Sequence, residues 1–396
     1  MSTEQTNQEI VIVAAKRTPM GGFQGALSSV PSPTLAATAI KGLMTQAGVQ
    51  GDEVNEVLMG CVLPAGLGQA PARQATLGAD LPLSVGATTV NKVCGSGMKT
   101  VMMAHDLIKA GSAEIVIAGG MESMSQAPYL LDKARGGMRM GHGKVLDHMF
   151  LDGLEDAYTG GAMGTFAQKT ADDFGITREA MDNFALGSLQ KANAAIESGA
   201  FKDEIVPVTV ASRKGDLVVD TDEQPGNARP EKIPSLRPAF AKDGTITAAN
   251  SSSISDGAAV LMLMRAEEAS KRGLEVLATI KGHTTHSQEP SMFTTAPVGA
   301  MNKLLDKVNW SKDEVDLFEI NEAFAMVTML AISELGLDEA KVNVNGGACA
   351  LGHPIGCSGA RVLVTLIHAL KARGLKRGVA SLCIGGGEAT AMAIEV

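Results

Sequence analysis

The feature that most constrains this chain is that it repeats itself. Asp52-Glu53-Val54 precedes an apolar, strand-like run over 56–61, and Asp313-Glu314-Val315 opens a matching run 261 residues later. Ser96-Gly97 starts a helix-like segment ending in Leu107-Ile108-Lys109-Ala110-Gly111. Ser358-Gly359 starts another, ending in Leu370-Lys371-Ala372-Arg373-Gly374, at an offset near 262. After each helix come a strand-like run and a Gly-Gly-x-Glu tetrapeptide, at 119–122 and 385–388. Marks recurring in one order describe two copies of a single unit, and the boundary between packed copies is a natural cleft.

The unit is α/β. Continuous apolar runs at 10–15, 56–59, 113–118, 315–320 and 379–384 suit strands covered on both faces, with helices as crossovers. Between the copies, 124–250 differs: it is richer in Met, Gly, Asp and Arg, has a helical segment over 178–198, and carries the turn-forming run Gln224-Pro225-Gly226-Asn227. An insertion of that length on a rigid core reads as a substrate-binding lid. The expected division is a first half over 1–123, completed by about 251–274, an inserted domain over 124–250, and a second half over 275–396. Aromatic residues are 3% of the 396, against 45 glycines and 21 methionines, so small and flexible side chains must fill the core and let elements approach closely.

A net charge of −9 argues against nucleic acid or an acidic membrane as partner. No apolar run reaches the roughly 18 residues needed to span a bilayer, and the polar start MSTEQTNQE lacks signal-peptide character. Five cysteines, an odd number in a long chain, fit free thiols in a reducing compartment. The expected location is the cytoplasm.

Cys94 follows a strand-like run and precedes a helix, within Asn91-Lys92-Val93-Cys94-Gly95-Ser96-Gly97-Met98. A thiol at a helix N-terminus is expected to favour the thiolate, and flanking glycines permit a sharp turn with backbone N–H groups facing an oxyanion. His353 sits in the Gly-rich stretch 345–359, which enters the second repeated helix and so faces the same cleft. It is a candidate general base or oxyanion donor. Cys349, His353 and Cys357, evenly spaced by four, leave a zinc site open, although no obvious fourth ligand accompanies them. Cys383 ends a strand-like run and by itself reads as core. The glycines after it, Gly385 first among those without side chains, offer unhindered N–H groups. Asn321, ahead of Glu322-Ala323-Phe324, reads as a helix cap. The hydroxyl-rich stretch 250–258 reads equally as a ligand loop or a turn. The remaining histidines, His142, His148, His283 and His286 among them, have no comparable setting.

With these residues in view the sequence resembles the thiolase family over nearly its whole length. The resemblance rests on Ala14-Ala15-Lys16-Arg17-Thr18-Pro19, Asn91–Met98, Asn321–Phe324, Asn345–Gly359 and Cys383–Gly387, in the family's order. It implies the thiolase fold: two βαβαβαββ halves in a layered α-β-α-β-α core plus an inserted loop domain, as a homotetramer. By resemblance Cys94 is the acylated nucleophile, His353 its base, and Cys383 the acid/base for the α-carbon and thiol protons. Asn321 holds a water that with His353 forms one oxyanion site, and the N–H groups of Cys94 and Gly385 form the other. Ser252 meets the pantetheine arm of CoA, and Met163, Phe293 and Phe324 adjoin the substrate. The stretches around 139–141, 149–153 and 162–165 are similar to the short-chain branch, which joins two acetyl-CoA into acetoacetyl-CoA and CoA without cofactor or metal. The family patterns depart at Ala162, where histidine is common, at Phe293, where methionine is common, and over 224–231, poor in basic residues. Rival readings are a broad-range 3-ketoacyl-CoA thiolase, a carrier-protein synthase, whose second catalytic position is His or Asn rather than Cys383, and a non-catalytic CoA- or lipid-binding relative.

Overall fold

The structure, a computed structural model, describes residues 9–213 and 215–396, so the polar start over 1–8 lies outside the described residues. The first half runs β1 (Ile10–Arg17), α1 (Ser32–Ala47), β2 (Glu56–Gly60), α2 (Pro71–Gly78), β3 (Gly86–Val90), α3 (Ser96–Lys109) and β4 (Ile115–Ser123). An excursion follows that contains α4 (Met163–Asp173) and α5 (Arg178–Ser198), and the chain returns as β5 (Ser255–Arg265). The second half runs β6 (Ala278–Ser287), α6 (Ala296–Val308), β7 (Leu317–Ile320), α7 (Ala325–Leu335), α8 (Ser358–Arg373), β8 (Arg377–Ile384) and β9 (Glu388–Glu395). The third strand of this half is reduced to one parallel bridge, Phe318 to Val342.

Strand order is β3-β2-β4-β5-β1 in the first half and β7-β8-β9-β6 in the second. β1 and β6 pair antiparallel through Val11–Thr279 and Ile12–Ala278, which joins the two into one continuous sheet. α1 and α2 cover the outer face of the first half. α6 and α7 cover that of the second. α3 and α8 lie between the two halves of the sheet, in an apolar cluster to which both halves contribute. This is the expected five-layered α-β-α-β-α arrangement. No helix among the described residues is long and apolar enough to cross a membrane.

Two of the three repeat marks are structurally equivalent. Asp52-Glu53 and Asp313-Glu314 both lie in short 3-10 turns, each closed by a capping box, Gln50 with Glu53 and Ser311 with Glu314. Each turn delivers the chain to the same strand of its half. Ser96-Gly97 and Ser358-Gly359 open α3 and α8, which cross at these glycines. A Cβ on Gly97 would stand 2.8 Å from the Ala360 nitrogen, and one on Gly359 would stand 2.3 Å from the Met98 nitrogen. Only glycine allows that crossing.

The third mark is not an equivalence. Gly119-Gly120 lie inside β4, where a Cβ would meet the Ala259 and Gly356 carbonyl oxygens at 2.0 and 1.9 Å. Gly385–Gly387 instead form the turn between β8 and β9. The glycines of the first copy permit backbone contact within the core, whereas those of the second permit a turn, at φ 91° and 86° for Gly386 and Gly387.

The excursion is pinned to the core by Arg17 at the end of β1. Its guanidinium meets Glu204 at 2.5 Å and Asp222 at 2.7 Å, all three side chains being fully buried. The run Ala14–Pro19 therefore holds the inserted stretch in place over the ends of the strands.

Candidate active site

The C-terminal ends of β3, β7 and β8 converge where α3 and α8 begin, at a cavity of about 360 Å³. Cys94, His353 and Gly385 form its inner end, and Ser252, Met163, Phe293 and Phe324 line its walls. Cys383 and Asn321 lie behind that surface, fully buried. The nine site residues implied by the resemblance are thus in one neighbourhood, seven on the cavity and two in its inner wall.

The turn bearing Cys94 is strained in a way the sequence does not announce. Val93 has φ 46°, a left-handed conformation that a β-branched residue adopts only when its surroundings impose it. Ser96 imposes it: its hydroxyl accepts the Lys92 N–H at 2.8 Å and donates to the Val93 carbonyl at 2.7 Å. Gly95 is needed as well, because a Cβ there would sit 2.3 Å from Ile384 Cδ1, the neighbour of Cys383. The elbow therefore seats the Cys94 sulfur against the turn after β8, where the Gly385 N–H points at it.

The expected thiolate is not the resting state. Burial pushes the Cys94 thiol up to about 11, and the N–H groups of Gly385 and Cys94 offset only part of the lost hydration. The apolar walls outweigh the helix terminus, which begins two residues away. Burial likewise holds Cys383 well above the ordinary thiol range, with the neighbouring Cys94 adding to the effect. Both thiols therefore rest protonated, and a base is required.

His353 is built to be that base. Ser358 Oγ lies 3.0 Å from the Pro354 carbonyl and 2.5 Å from His353 Nδ1. With both contacts made as hydrogen bonds the serine proton goes to Pro354, because a carbonyl only accepts, and Ser358 then accepts from Nδ1–H. Nε2 is left with a free lone pair and no protein partner. Burial first, and then the Arg361 charge, hold the ring down at about 3, so it is neutral and able to take a proton. The backbone N–H of His353 donates to the Ser253 carbonyl at 3.1 Å, so the hydroxyl-rich stretch 250–258 braces the histidine loop. Ser252 does not stand free: its hydroxyl donates to the Ala323 carbonyl at 2.9 Å.

Asn321 is not a helix cap. α7 begins at Ala325 with Phe324 at the cap position, and both polar atoms of the Asn321 side chain are buried without a protein partner. An unpaired buried amide costs about 1–3 kcal/mol. Asn321 together with His353 Nε2 thus offers unused hydrogen-bonding capacity to a ligand. The evenly spaced Cys349, His353 and Cys357 do not converge on a zinc site. The Cys349 sulfur faces the Glu322 carbonyl at 3.7 Å and Cys357 is fully buried in the core between the halves, so their sulfurs do not gather with a ring nitrogen of His353.

Several contributors were not singled out as site residues from the sequence. Glu122 is fully buried and accepts N–H groups from Val62, Leu63 and Gly356 at 3.0, 3.1 and 2.9 Å, tying the loop after β2 to the histidine loop. Burial pushes its carboxyl up to about 7 despite those donors. Phe150 and Phe240, from the inserted stretch, complete the apolar wall, and Phe240 meets Phe324 edge-on at 6.1 Å. Two residues had usable signals: Ser358, as the repeat partner of Ser96, and Glu122, as the acid of the first Gly-Gly-x-Glu.

Comparison with known proteins shows the family. Residues 10–267 match the family described as "Thiolase, N-terminal domain" and residues 274–396 match "Thiolase, C-terminal domain". The chain is 51% identical to an acetyl-CoA acetyltransferase of Pseudomonas aeruginosa, covering 98% of this chain and 99% of that one. It is 51% identical to one of Escherichia coli, covering 97% and 98%. The solved acetyl-CoA acetyltransferase of Bacillus anthracis is 44% identical and superposes with a TM-score of 0.95, covering 98% of each chain. A thiolase from Ascaris suum in complex with coenzyme A is 41% identical, with a TM-score of 0.92 over 98% of this chain and 99% of that one.

Proposed function

The chain belongs to the thiolase family, and from that premise we propose that it is an acetyl-CoA acetyltransferase, catalysing the reversible condensation of two acetyl-CoA to acetoacetyl-CoA and CoA. The observation that carries the reading is the meeting of two cysteines, one from each half, Cys94 on the cavity and Cys383 buried behind it, with an imidazole whose Nε2 has no protein partner; burial favours the neutral form of all three.

The proton inventory follows from those states. His353 Nε2 takes the Cys94 proton as the sulfur attacks the first thioester carbonyl. The C–S bond to CoA breaks, and the leaving thiolate takes the Cys383 proton. Cys383 is then a thiolate in an apolar setting, and so a strong base. It removes a proton from the methyl carbon of the second acetyl-CoA, and the resulting enolate attacks the acetyl group on Cys94. A carbon–carbon bond forms, the bond to Cys94 breaks, and the released sulfur recovers its proton from His353. Both thiols end as they began.

Two oxyanions arise. The N–H groups of Cys94 and Gly385 are placed for the one on the acyl-enzyme, and Asn321 with protonated His353 for the enolate. Each such donor is worth about 2.7–4 kcal/mol of barrier. The exchange of thioester at Cys94 makes ping-pong kinetics the natural outcome. Phe293, Phe324, Phe240 and Met163 shorten the acyl end of the cavity, which favours a two-carbon donor over long chains.

The reading includes CoA thioesters as the only small-molecule partners, no cofactor, the inserted stretch 124–250 as the domain that closes over the acyl group, and a cytoplasmic homotetramer. β3 supports association, because it ends the sheet with an unpaired and partly exposed edge. The test is a panel of 3-ketoacyl-CoA substrates from four carbons upward. Thiolysis should be fastest at four carbons and fall steeply beyond. Equal kcat/KM at longer chains would favour the broad-range alternative.

A further inference from the structure

At the end of α3 away from Cys94, two histidines and a carboxylate from the two halves of the fold meet. His105 and Asp106 are in the last turns of α3, nine and ten residues beyond Ser96 and so about 14 Å along the helix from its start. His283 is on β6, the first strand of the second half. His105 Nδ1 lies 2.9 Å from Asp106 Oδ1, His283 Nε2 lies 3.1 Å from that same oxygen, and the two ring nitrogens are 3.2 Å apart.

These contacts cannot all be hydrogen bonds. With Asp106 ionised, its oxygen only accepts. If both rings present N–H, the nitrogen–nitrogen contact sets donor against donor. If one ring presents a lone pair, that nitrogen faces the carboxylate as acceptor against acceptor. A cation among the three satisfies every member. Ligands of a tetrahedral ion with bonds of about 2.0–2.1 Å stand about 3.3 Å apart, close to the observed triangle. The ring side chains are 11% and 13% exposed, whereas Asp106 is 60% exposed, so a fourth position opens to solvent. The surrounding charges select the ion. Lys109 and Lys307 are unpaired with acids here, Lys307 donating to the His283 carbonyl, while Lys281 is paired with Glu9. Two nearby ammonium groups disfavour a weakly held hard cation and leave imidazole-seeking ions as the class that fits.

We propose that His105, Asp106 and His283 form a site for a zinc-like divalent transition metal, separate from the catalytic cavity, which ties the nucleophile-bearing helix to the second half of the fold. The site touches no reacting atom, so its occupancy changes rigidity rather than the chemical steps. It goes beyond the reading of the catalytic residues and does not depend on it.

The test is to titrate zinc chloride into the full-length, metal-stripped protein and into His105→Gln and His283→Gln variants. Wild type should hold one more equivalent than either variant, with affinity at that site falling by more than about 100-fold, beyond the about 10–100-fold that loss of an outer-shell partner costs. Zinc should raise the melting temperature of wild type and leave that of the variants nearly unchanged. Cobalt(II) in place of zinc should give tetrahedral visible bands without thiolate charge transfer, and those bands should vanish in His283→Gln. Both variants should keep wild-type acyltransfer kinetics, which shows that they fold. Asp106→Asn, on an exposed side chain, gives the same comparison if a histidine variant does not fold. Equal stoichiometry and affinity in wild type and variants would overturn the proposal, as would a cobalt spectrum dominated by thiolate.

Discussion

Replacing Ser358 by alanine isolates one hydrogen bond with a calculable effect. In the native site the serine hydroxyl is committed to the Pro354 carbonyl and accepts from His353 Nδ1, so the ring keeps its proton on Nδ1 and its lone pair on Nε2. Alanine leaves that buried N–H unpaired, a cost of about 1–3 kcal/mol. The ring can escape the cost by moving its proton to Nε2, where a water or ligand in the cavity accepts it, which removes the base from Cys94. The productive tautomer then becomes the minority by the same energy. At 1.36 kcal/mol per tenfold, kcat/KM for thiolysis of acetoacetyl-CoA should fall about 5- to 150-fold. The single-turnover rate of Cys94 acetylation by acetyl-CoA should fall in parallel, since it draws on the same proton transfer. A merely structural role would instead lower the urea midpoint and leave both rates close to wild type. Unchanged kcat/KM in a folded Ser358→Ala protein would refute the tautomer argument.

Other consequences can be checked independently. With Cys94 held at about 11 and His353 at about 3, the free pair is neutral across the middle of the pH range, so alkylation of Cys94 should climb steadily from pH 6 to 10; a plateau beginning near pH 7 would reveal a resting thiolate–imidazolium pair. Gly120→Ala drives a Cβ against the Gly356 carbonyl oxygen, backbone against backbone, and should cost about 3 kcal/mol or more by urea denaturation. Arg17→Ala leaves Glu204 and Asp222 buried without their cation, which should cost about 3–5 kcal/mol and expose the stretch near 200–225 to limited proteolysis; a wild-type digestion pattern would contradict the anchoring role.

Much of the architecture was legible because its cues are local. The capping boxes that precede β2 and β7 are set by three or four neighbouring residues, and the Ser-Gly pairs opening α3 and α8 carry their own reason for conservation of shape within the repeat. The Gly-Gly-x-Glu tetrapeptides misled because glycine serves both a close approach inside a sheet and a left-handed turn, and only the fold decides which. The resting state of Cys94 was misjudged for a related reason. A helix terminus is visible in the sequence, but the apolar wall that outweighs it comes from Phe150, Phe240 and Phe293, far away along the chain. The triangle of His105, Asp106 and His283 was invisible for the same cause, since its members are 177 and 178 residues apart.

The central claim is that the two thiols divide the work, Cys94 carrying the acyl group and Cys383 moving the α-carbon proton. Intact-protein and peptide mass spectrometry after brief exposure to acetyl-CoA, on wild type and on Cys383→Ala, tests it most directly. Both proteins should gain one acetyl group on the peptide containing Cys94, while only wild type goes on to form acetoacetyl-CoA and to exchange deuterium into the methyl group of acetyl-CoA. Acetyl on Cys349, Cys357 or Cys383, or near-normal condensation by Cys383→Ala, would contradict the account.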